Sequence, residues 1–252
     1  MASFLSWLGL VAPAAAGLAA IILGAAFVRG LTGFGFAILA VPLMGLVIPP
    51  ADAVILAILL QTWIGPFGVG KAMGHIDRPL VARVALFAMM GTPLGLLVLA
   101  QTPDDLARLV IAGIAVGCFA TFLIKRAPTP DTSLPHVMAT GLSSGLLNGF
   151  AAMPGPPVIL YFVRSGVTPL TARGSMILVF FAAGVAGTIT AAVQGFVTQR
   201  LLLLSFTAFP LMLLGNHFGA RFFGAVEERL WRGLVIALLF AATAGALFKL
   251  AT

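Results

Sequence analysis

The sequence has 252 residues, of which 61% are apolar and 8% are charged. Soluble domains are about 45–50% apolar and about 25% charged, so a water-soluble fold would expose far too much apolar surface. The net charge of +7 comes from basic residues scattered between apolar runs, which is typical of a membrane protein and not of a nucleic-acid-binding face. The composition therefore predicts an all-α integral membrane protein whose surroundings are the lipid bilayer, with no nucleic acid as partner.

Ten apolar runs follow one another along the chain, and a hydrophilic segment at 125–136 divides them into two sets of five. The runs are 5–28, 31–48, 51–70, 79–100 and 105–124, then 137–152, 155–165, 174–193, 200–220 and 230–250. Uninterrupted apolar runs predict helices, because barrel strands alternate polar and apolar residues. Two runs are poor candidates for crossing the membrane: 155–165 is too short, and 31–48 opens with GLTGFGF and contains Pro42.

The distribution of Lys and Arg predicts an orientation. With ten crossings and the 71–83 connection in the cytoplasm, eleven of the fourteen basic residues are cytoplasmic. An excess of basic residues in cytoplasmic loops is the rule for such proteins. The exceptions are Arg108, Arg200 and Lys249. Both termini are therefore expected on the outer side of the membrane.

The two halves of the chain resemble each other. Three residues of the first half recur in the second at one constant spacing: Gly91, Gly95 and Arg108 are answered by Gly215, Gly219 and Arg232. We predict a first transmembrane repeat at 1–124, a cytoplasmic linker at 125–136 and a second repeat at 137–252. With five crossings each, the repeats insert in opposite orientations. Inverted repeats with broken or re-entrant helices are a recurring transporter architecture, with the substrate bound near the midplane.

The first candidate site is the segment RGLTGFGF, from Arg29 to Phe36. Its glycines permit positive φ angles and expose the backbone, and a helix that starts there points unpaired N–H groups at an anion. Arg29 adds a full charge and a bidentate fork. The candidate substrate-binding residues are Arg29, Thr32, Gly33, Phe34 and Gly35. The alternative is close helix packing next to an ordinary cytoplasmic anchor.

The second candidate site is the segment NGFAAMPGPP, from Asn148 to Pro157. Three prolines in four residues cannot continue a helix, and non-helical backbone at membrane depth lines a cavity or packs against protein. The candidate substrate-binding residues are Asn148, Gly149, Met153, Pro154, Gly155 and Pro156. The alternative is a plain extracellular turn. Two such breaks in equivalent places of two repeats are the expected pointer to a binding site.

Further polar residues within or beside the apolar runs complete the set of candidates: Gln61, Arg173, Asn216 and His217. Arg173 is a second candidate for the charge that meets the anion, and His217 is a candidate proton carrier. The alternative for an isolated polar residue is a hydrogen bond between helices. No carboxylate lies deep in a run, which disfavours a carboxylate-based proton or sodium cycle. Export of an anion is favoured by the inside-negative potential itself.

Two segments match motifs of enzymes, but each lacks the other residues that the enzyme motif requires. The segment 65–71 fits part of a P-loop, yet Ala72 replaces the Ser or Thr that would bind magnesium. Ser143 lies in a G-x-S-x-G match, and a serine hydrolase would need a histidine such as His217. Close helix packing explains the glycines equally. We therefore expect no enzyme, no cofactor and no metal, since His, Asp and Glu do not cluster at ligand spacing.

The segments GLTGFGFAILAVPL, GLLNGFAAMPGPPVILYF and GNHFGARFF resemble the sulfite exporter TauE/SafE family over essentially the whole chain. The resemblance implies a multi-helix transporter of the bacterial inner membrane, with two related halves and fewer than ten full crossings. It implies export of sulfite, an organosulfonate or a related small anion. It marks Gly30, Gly33, Phe34 and Gly35 in one half and Gly149, Pro154, Gly155, Pro156 and Pro157 in the other.

The hypothesis is therefore a secondary transporter that exports a small sulfur-containing anion by alternating access at a midplane site between the repeats. An anion channel is the alternative within transport. An intramembrane serine hydrolase and a non-transporting membrane assembly factor are the alternatives from other classes. The sequence leaves open the anion, the coupling ion and whether the chain forms a homo-oligomer.

Overall fold

The structure, a computed structural model, describes residues 11–32, 35–72, 74, 76–123 and 132–222. Within these ranges the chain forms nine helices and no strand. They are α1 (Ala12–Thr32), α2 (Phe36–Met44), α3 (Pro50–Ala72), α4 (Arg78–Gln101), α5 (Asp104–Leu123), α6 (Leu134–Ala151), α7 (Gly155–Arg164), α8 (Pro169–Val193) and α9 (Gln199–Arg221). The predicted run at 230–250 lies outside the described residues.

Five of these helices (α1, α3, α4, α8 and α9) carry apolar stretches of 20–24 residues, enough for a hydrocarbon core of about 30 Å at about 1.5 Å per residue. On α4, Leu86, Met90, Leu94 and Val98 form a stripe at every fourth residue, and each is 51–56% exposed. Exposing such a stripe to lipid costs no free energy, whereas exposing it to water is unfavourable. The prediction of an all-α integral membrane protein is confirmed.

Local chemistry sets several of the helix starts. Asp77 and Thr198 accept hydrogen bonds from the amides of Leu80 and Leu201, as capping residues do. Thr168 caps α8, and Pro169 follows it in the first turn, where proline loses no helical hydrogen bond. The helix α8 therefore begins five residues before the predicted run at 174. In the same way α6 begins at Leu134 with a proline in its first turn, so the end of the predicted 125–136 linker is helical.

The two runs that looked unable to cross the membrane form the two shortest helices described. The helix α2 has 9 residues and α7 has 10, which correspond to about 14–15 Å of axial length. That is roughly half of the hydrocarbon core. Gly35, with a φ of 92°, precedes α2 in the left-handed region, which glycine adopts without strain. Neither helix can cross the membrane alone, so the two runs do not supply full helical crossings.

The chain divides into two compact units. Unit 1 comprises residues 1–60, 103–115 and 197–252. Its described part is organised by close contact between α1 and α9. A Cβ added to Gly30 would lie 2.7 Å from the Ala220 amide nitrogen, and one added to Gly215 would lie 2.5 Å from the Leu23 carbonyl oxygen. The two backbones touch there, and only glycine allows such an approach.

Unit 2 comprises residues 61–102 and 116–196, and α4 packs against both α6 and α8 within it. A Cβ on Gly145 would lie 2.8 Å from the Thr92 amide nitrogen, and one on Gly149 would lie 2.6 Å from that of Leu96. A Cβ on Gly95, on the facing helix, would lie 2.9 Å from the Phe150 amide nitrogen. The helices α4 and α6 therefore meet backbone to backbone.

The compact units do not coincide with the two halves of the sequence. In unit 1, α9 from the second half packs on α1 from the first, whereas in unit 2, α4 from the first half packs on α6 from the second. Each pairing uses two glycines four residues apart, Gly215 with Gly219 and Gly91 with Gly95. These are the glycines that recur in the sequence. The division into repeats at 1–124 and 137–252 stays a prediction.

Arg108 holds the segment after α2 within unit 1. Its Nε donates to the Gly45 carbonyl oxygen at 2.9 Å and its Nη1 to Asp105 Oδ1 at 2.8 Å, while its side chain is only 15% exposed.

We expect Arg108→Leu to lower the free energy of unfolding by about 1–3 kcal/mol, because it removes the side-chain donor of a partly buried carbonyl. The melting temperature of the detergent-purified protein measures this. Asp104→Asn is the control, since its 4.0 Å exposed ion pair contributes about 0–1 kcal/mol; equal losses for both variants would contradict the prediction.

Candidate functional site

The second predicted site forms a buried break between α6 and α7 in unit 2. The helix α6 ends at Ala151, and Ala152 has a φ of 57°, the one positive φ among the described residues other than glycine. The amides of Ala152 and Met153 donate back to the carbonyls of Asn148 and Leu147 at 2.8 and 3.2 Å. Residues 151–154 are all buried. The break is therefore non-helical backbone enclosed in protein, and it is not an exposed turn.

Side chains complete the hydrogen bonding of the break. Gln61 Nε2 donates to the carbonyl oxygen of Ala152 at 3.1 Å, and Ser144 Oγ donates to that of Pro154 at 2.7 Å. Prolines at 154, 156 and 157 remove the amides that would otherwise continue a helix. Because a second N–H of the Gln61 amide has no recorded acceptor among the described residues, Gln61 can still donate one hydrogen bond to an anion.

Asn148 and Gly149 connect the break to neighbouring helices. Asn148 Nδ2 donates to the Ala183 carbonyl oxygen at 2.9 Å and to Thr92 Oγ1 at 3.4 Å, so both of its N–H groups bind protein. Gly149 lies against the backbone of α4. The predicted residues Met153, Pro154 and Pro156 are buried, and Gly155 is partly exposed. Asn148 therefore positions the break, and within the part of the chain that the structure describes only one N–H of the Gln61 amide has an acceptor.

Several polar residues near the break were missed by sequence reasoning. Thr62 Oγ1 and Thr188 Oγ1 lie 3.1 Å apart, joining α3 to α8. Thr92 is fully buried, and its hydroxyl donates to the Ala88 carbonyl oxygen at 2.8 Å. Single Thr and Ser residues are common in membrane helices, where they bond to the backbone of their own turn. For Thr62, the one sequence signal that could have indicated a role was its position next to Gln61.

The first predicted site lies in unit 1. Arg29 is half-buried in the last turn of α1, one turn before the start of the break. Gly30 packs against α9 near the backbone of Ala220 and Asn216, which places the half-buried Asn216 at the level of Arg29. Thr32 ends α1, and Gly35 begins the turn into α2; Gly33 and Phe34 lie outside the described residues. The structure brings Arg29, Gly35 and Asn216 into one unit.

Two other candidates lie away from these contacts. Arg173 is exposed on α8, ten residues before Ala183, the acceptor of Asn148. Ten helical residues correspond to about 15 Å, so the structure does not bring Arg173 to the break. His217 is exposed on α9, with its ring 5.9 Å from the ring of Phe218. A proton carrier would instead be expected in a cavity between helices.

The G-x-S-x-G match is a helix-packing element in unit 2. Ser143 Oγ donates to the Ala139 carbonyl oxygen at 2.6 Å, so its proton is directed at the backbone of its own helix. A Cβ on Gly141 would lie 2.7 Å from the Val84 carbonyl oxygen, which explains the glycines by contact with α4. Among the described residues no group of three His, Cys, Asp or Glu side chains is placed to bind a metal ion.

Comparisons with known proteins match this chain to one family over nearly its whole length. The family model "Sulfite exporter TauE/SafE" matches residues 18–246. A protein of Cupriavidus necator described as "Probable sulfite/organosulfonate exporter TauE" is 26% identical over 232 residues, which covers 88% of this chain and 91% of the relative. No solved structure matches the chain. The family match includes both candidate breaks.

Proposed function

The chain belongs to the sulfite exporter TauE/SafE family, and from this premise we propose that it exports sulfite or a small organosulfonate across the bacterial inner membrane. It is a multi-pass membrane protein, and its family is one of transporters. The name of the relative from Cupriavidus necator supports the choice of sulfur oxyanions.

The observation that carries the proposal is the buried break at 152–154. Membrane proteins tolerate non-helical backbone at depth where it lines a substrate cavity or is packed in protein. Here α6 stops after 18 residues and α7 continues for only 10, while Gln61 and Ser144 from within the same unit donate to the buried carbonyls of Ala152 and Pro154. A plain structural helix would need none of this. The break supports a role in which a polar substrate passes an otherwise apolar bundle.

We propose that the cation required for an anionic substrate comes from Arg29, and that the first turn of α2 adds amide donors beside it. In unit 2, considered by itself, the break offers a substrate the side chain of Gln61 and the backbone around Gly155 and Pro156. Transport proceeds by alternating access, and the inside-negative potential favours exit of an anion by about 2.3 kcal/mol per charge per 100 mV.

Purified protein in liposomes tests the proposal. We expect saturable counterflow of ³⁵S-labelled sulfite or thiosulfate, inhibited by unlabelled sulfonates, and net flux in the direction of an imposed potential. Empty liposomes are the control. Flux that does not saturate and shows no counterflow would indicate an anion channel, since a pore has no carrier step. Absence of flux for sulfite, sulfate, thiosulfate and sulfonates alike would favour an assembly factor and contradict the proposal.

A serine hydrolase is disfavoured by the hydrogen bond that Ser143 makes to Ala139. In the same liposomes Ser143→Ala is expected to retain saturable counterflow, because a transporter needs no serine nucleophile. The variant uses the same counterflow measurement as the wild type.

A further inference from the structure

An open cleft lies between α6 and α7 on the outside of the buried break. Its volume is about 450 Å³, which is room for a small hydrated oxyanion, since a water molecule takes about 30 Å³. One face of each helix lines it, with His136, Thr140 and Ser143 on α6 and with Pro157, Tyr161 and Arg164 on α7. These positions recur at three- and four-residue intervals, as one helix face requires.

The cleft runs from the exposed start of α6 toward the buried break. His136 at the start of α6 is exposed and Arg164 at the end of α7 is half-buried, whereas Thr140, one turn further along α6, is 7% exposed. Beyond Ser143 the two helices converge on the break, where Ser144 Oγ bonds to the Pro154 carbonyl at 2.7 Å. We place the mouth at the His136 and Arg164 end, and the opposite end of the cleft is the one nearest to the break.

The lining of the cleft favours an anion. Of the nine described residues that line it, Arg164 carries a fixed positive charge and none is acidic. The ring centroids of His136 and Tyr161 lie 6.1 Å apart, and these rings add polar edges to a wall that also contains Thr140 and Ser143. A guanidinium in a partly desolvated cleft binds an oxyanion through charge-assisted and bidentate hydrogen bonds.

We infer that this cleft is the vestibule in which a small oxyanion is bound before it reaches the break, with Arg164 as its cation. The inference rests on the proposed function for the identity of the anion. The mouth lies at the start of α6, and the sequence predicts that the segment before this helix is cytoplasmic. The vestibule therefore collects the anion from the cytoplasm, as an exporter requires.

Cysteine accessibility tests the vestibule. Cys118 is the only cysteine of the chain and is replaced by alanine. In this background Ala139→Cys places a thiol in the cleft wall, and Met138→Cys places one on the neighbouring position, which is exposed but does not line the cleft. We expect a membrane-impermeant maleimide to label Ala139→Cys in inside-out vesicles and not in right-side-out vesicles, and to label Met138→Cys poorly in both.

The probe ligand is 2-hydroxyethanesulfonate, because sulfite itself adds to maleimides. It is expected to slow labelling of Ala139→Cys, and Arg164→Gln is expected to raise the half-protecting concentration about 10–100-fold, the loss of one or two hydrogen bonds to a charged group. The matched control is Arg83→Gln, which removes the same charge from an exposed position of α4 and should leave protection unchanged. Labelling only from the outer side, or protection that is equal in both Arg variants, would overturn the inference.

The phosphate of an anionic lipid offers the same chemistry as a sulfonate, so the measurement is made in phosphatidylcholine liposomes with and without phosphatidylglycerol. Protection by the sulfonate in phosphatidylcholine alone supports the vestibule. Protection by phosphatidylglycerol alone, with none by the sulfonate, identifies a lipid site and overturns it. Counterflow in the same liposomes separates the two hypotheses. Transport without protection contradicts the vestibule, whereas protection without transport of any sulfur anion contradicts the proposed function.

Discussion

The Gly149→Ala variant is expected to lose most of its folded yield, because its new Cβ has no space between α6 and α4. The methyl carbon would lie 2.6 Å from the Leu96 amide nitrogen and 2.9 Å from the Gly95 carbonyl carbon. Both atoms belong to the backbone, so no side-chain rotation can relieve the clash. The helices must separate along their contact, which costs about 3 kcal/mol or more and strains the hydrogen bonds of Asn148.

The measurement is the melting temperature and the monodisperse yield of the detergent-purified protein. Gly117→Ala is the matched control, since a Cβ at Gly117 meets nothing within 4 Å and alanine is the better helix former by about 1 kcal/mol. We expect Gly149→Ala to melt roughly 10 °C lower and Gly117→Ala to melt at the wild-type temperature or above. Equal stability of the two variants would refute the close approach of α4 and α6.

Arg29→Ala is expected to abolish transport while the protein stays folded and inserted. Arg29 is half-buried one turn before the break in unit 1, and among the described residues its guanidinium has no ion-pair or hydrogen-bond partner. A charge held in this way is available to a substrate anion. Its removal should weaken the interaction with the substrate by the 2–5 kcal/mol typical of a desolvated charged contact, which corresponds to a loss of roughly 30- to 4,000-fold.

Two variants isolate the role of the Arg29 charge in the liposome assay. Arg29→Lys keeps the positive charge but not the bidentate fork, so it should retain partial transport. Arg221→Ala removes an exposed charge from the last turn of α9, where the guanidinium lies 5.8 Å from the Phe218 ring, and should transport normally. Wild-type counterflow in Arg29→Ala would show that the charge has been assigned to the wrong residue.

The positions of the breaks could be predicted from the sequence because they depend on local chemistry. Pro154, Pro156 and Pro157 cannot continue α6 as one unbroken helix, although Pro156 and Pro157 fit the first turn of α7. Gly35 permits the positive φ that the turn into α2 requires. The starts of α2 and α7 follow from the same residues. The role of each polar side chain could not be predicted in this way, because it depends on which carbonyl lies opposite.

Asn148 illustrates this limit. Its position in the chain is compatible with binding an anion or with joining helices, and both roles would use the same side-chain amide. The contacts with Ala183 and Thr92 come from residues 35 and 56 positions away, which no local pattern specifies. The same holds for Arg173 and Arg164. Both are basic residues of the second half, yet Arg164 lines a cleft while Arg173 is exposed about 15 Å from the level of Ala183.

The sequence by itself determined that this protein is a bundle of membrane helices with two breaks, because the length of an apolar run and the backbone preferences of glycine and proline are local properties. It also identified the glycine pairs that recur at 91 and 95 and at 215 and 219. Only the tertiary structure decided which helices those glycines join. Pairing of helices depends on the fit between whole faces, so α4 packs on α6 and α9 on α1, and each compact unit draws on both halves of the chain.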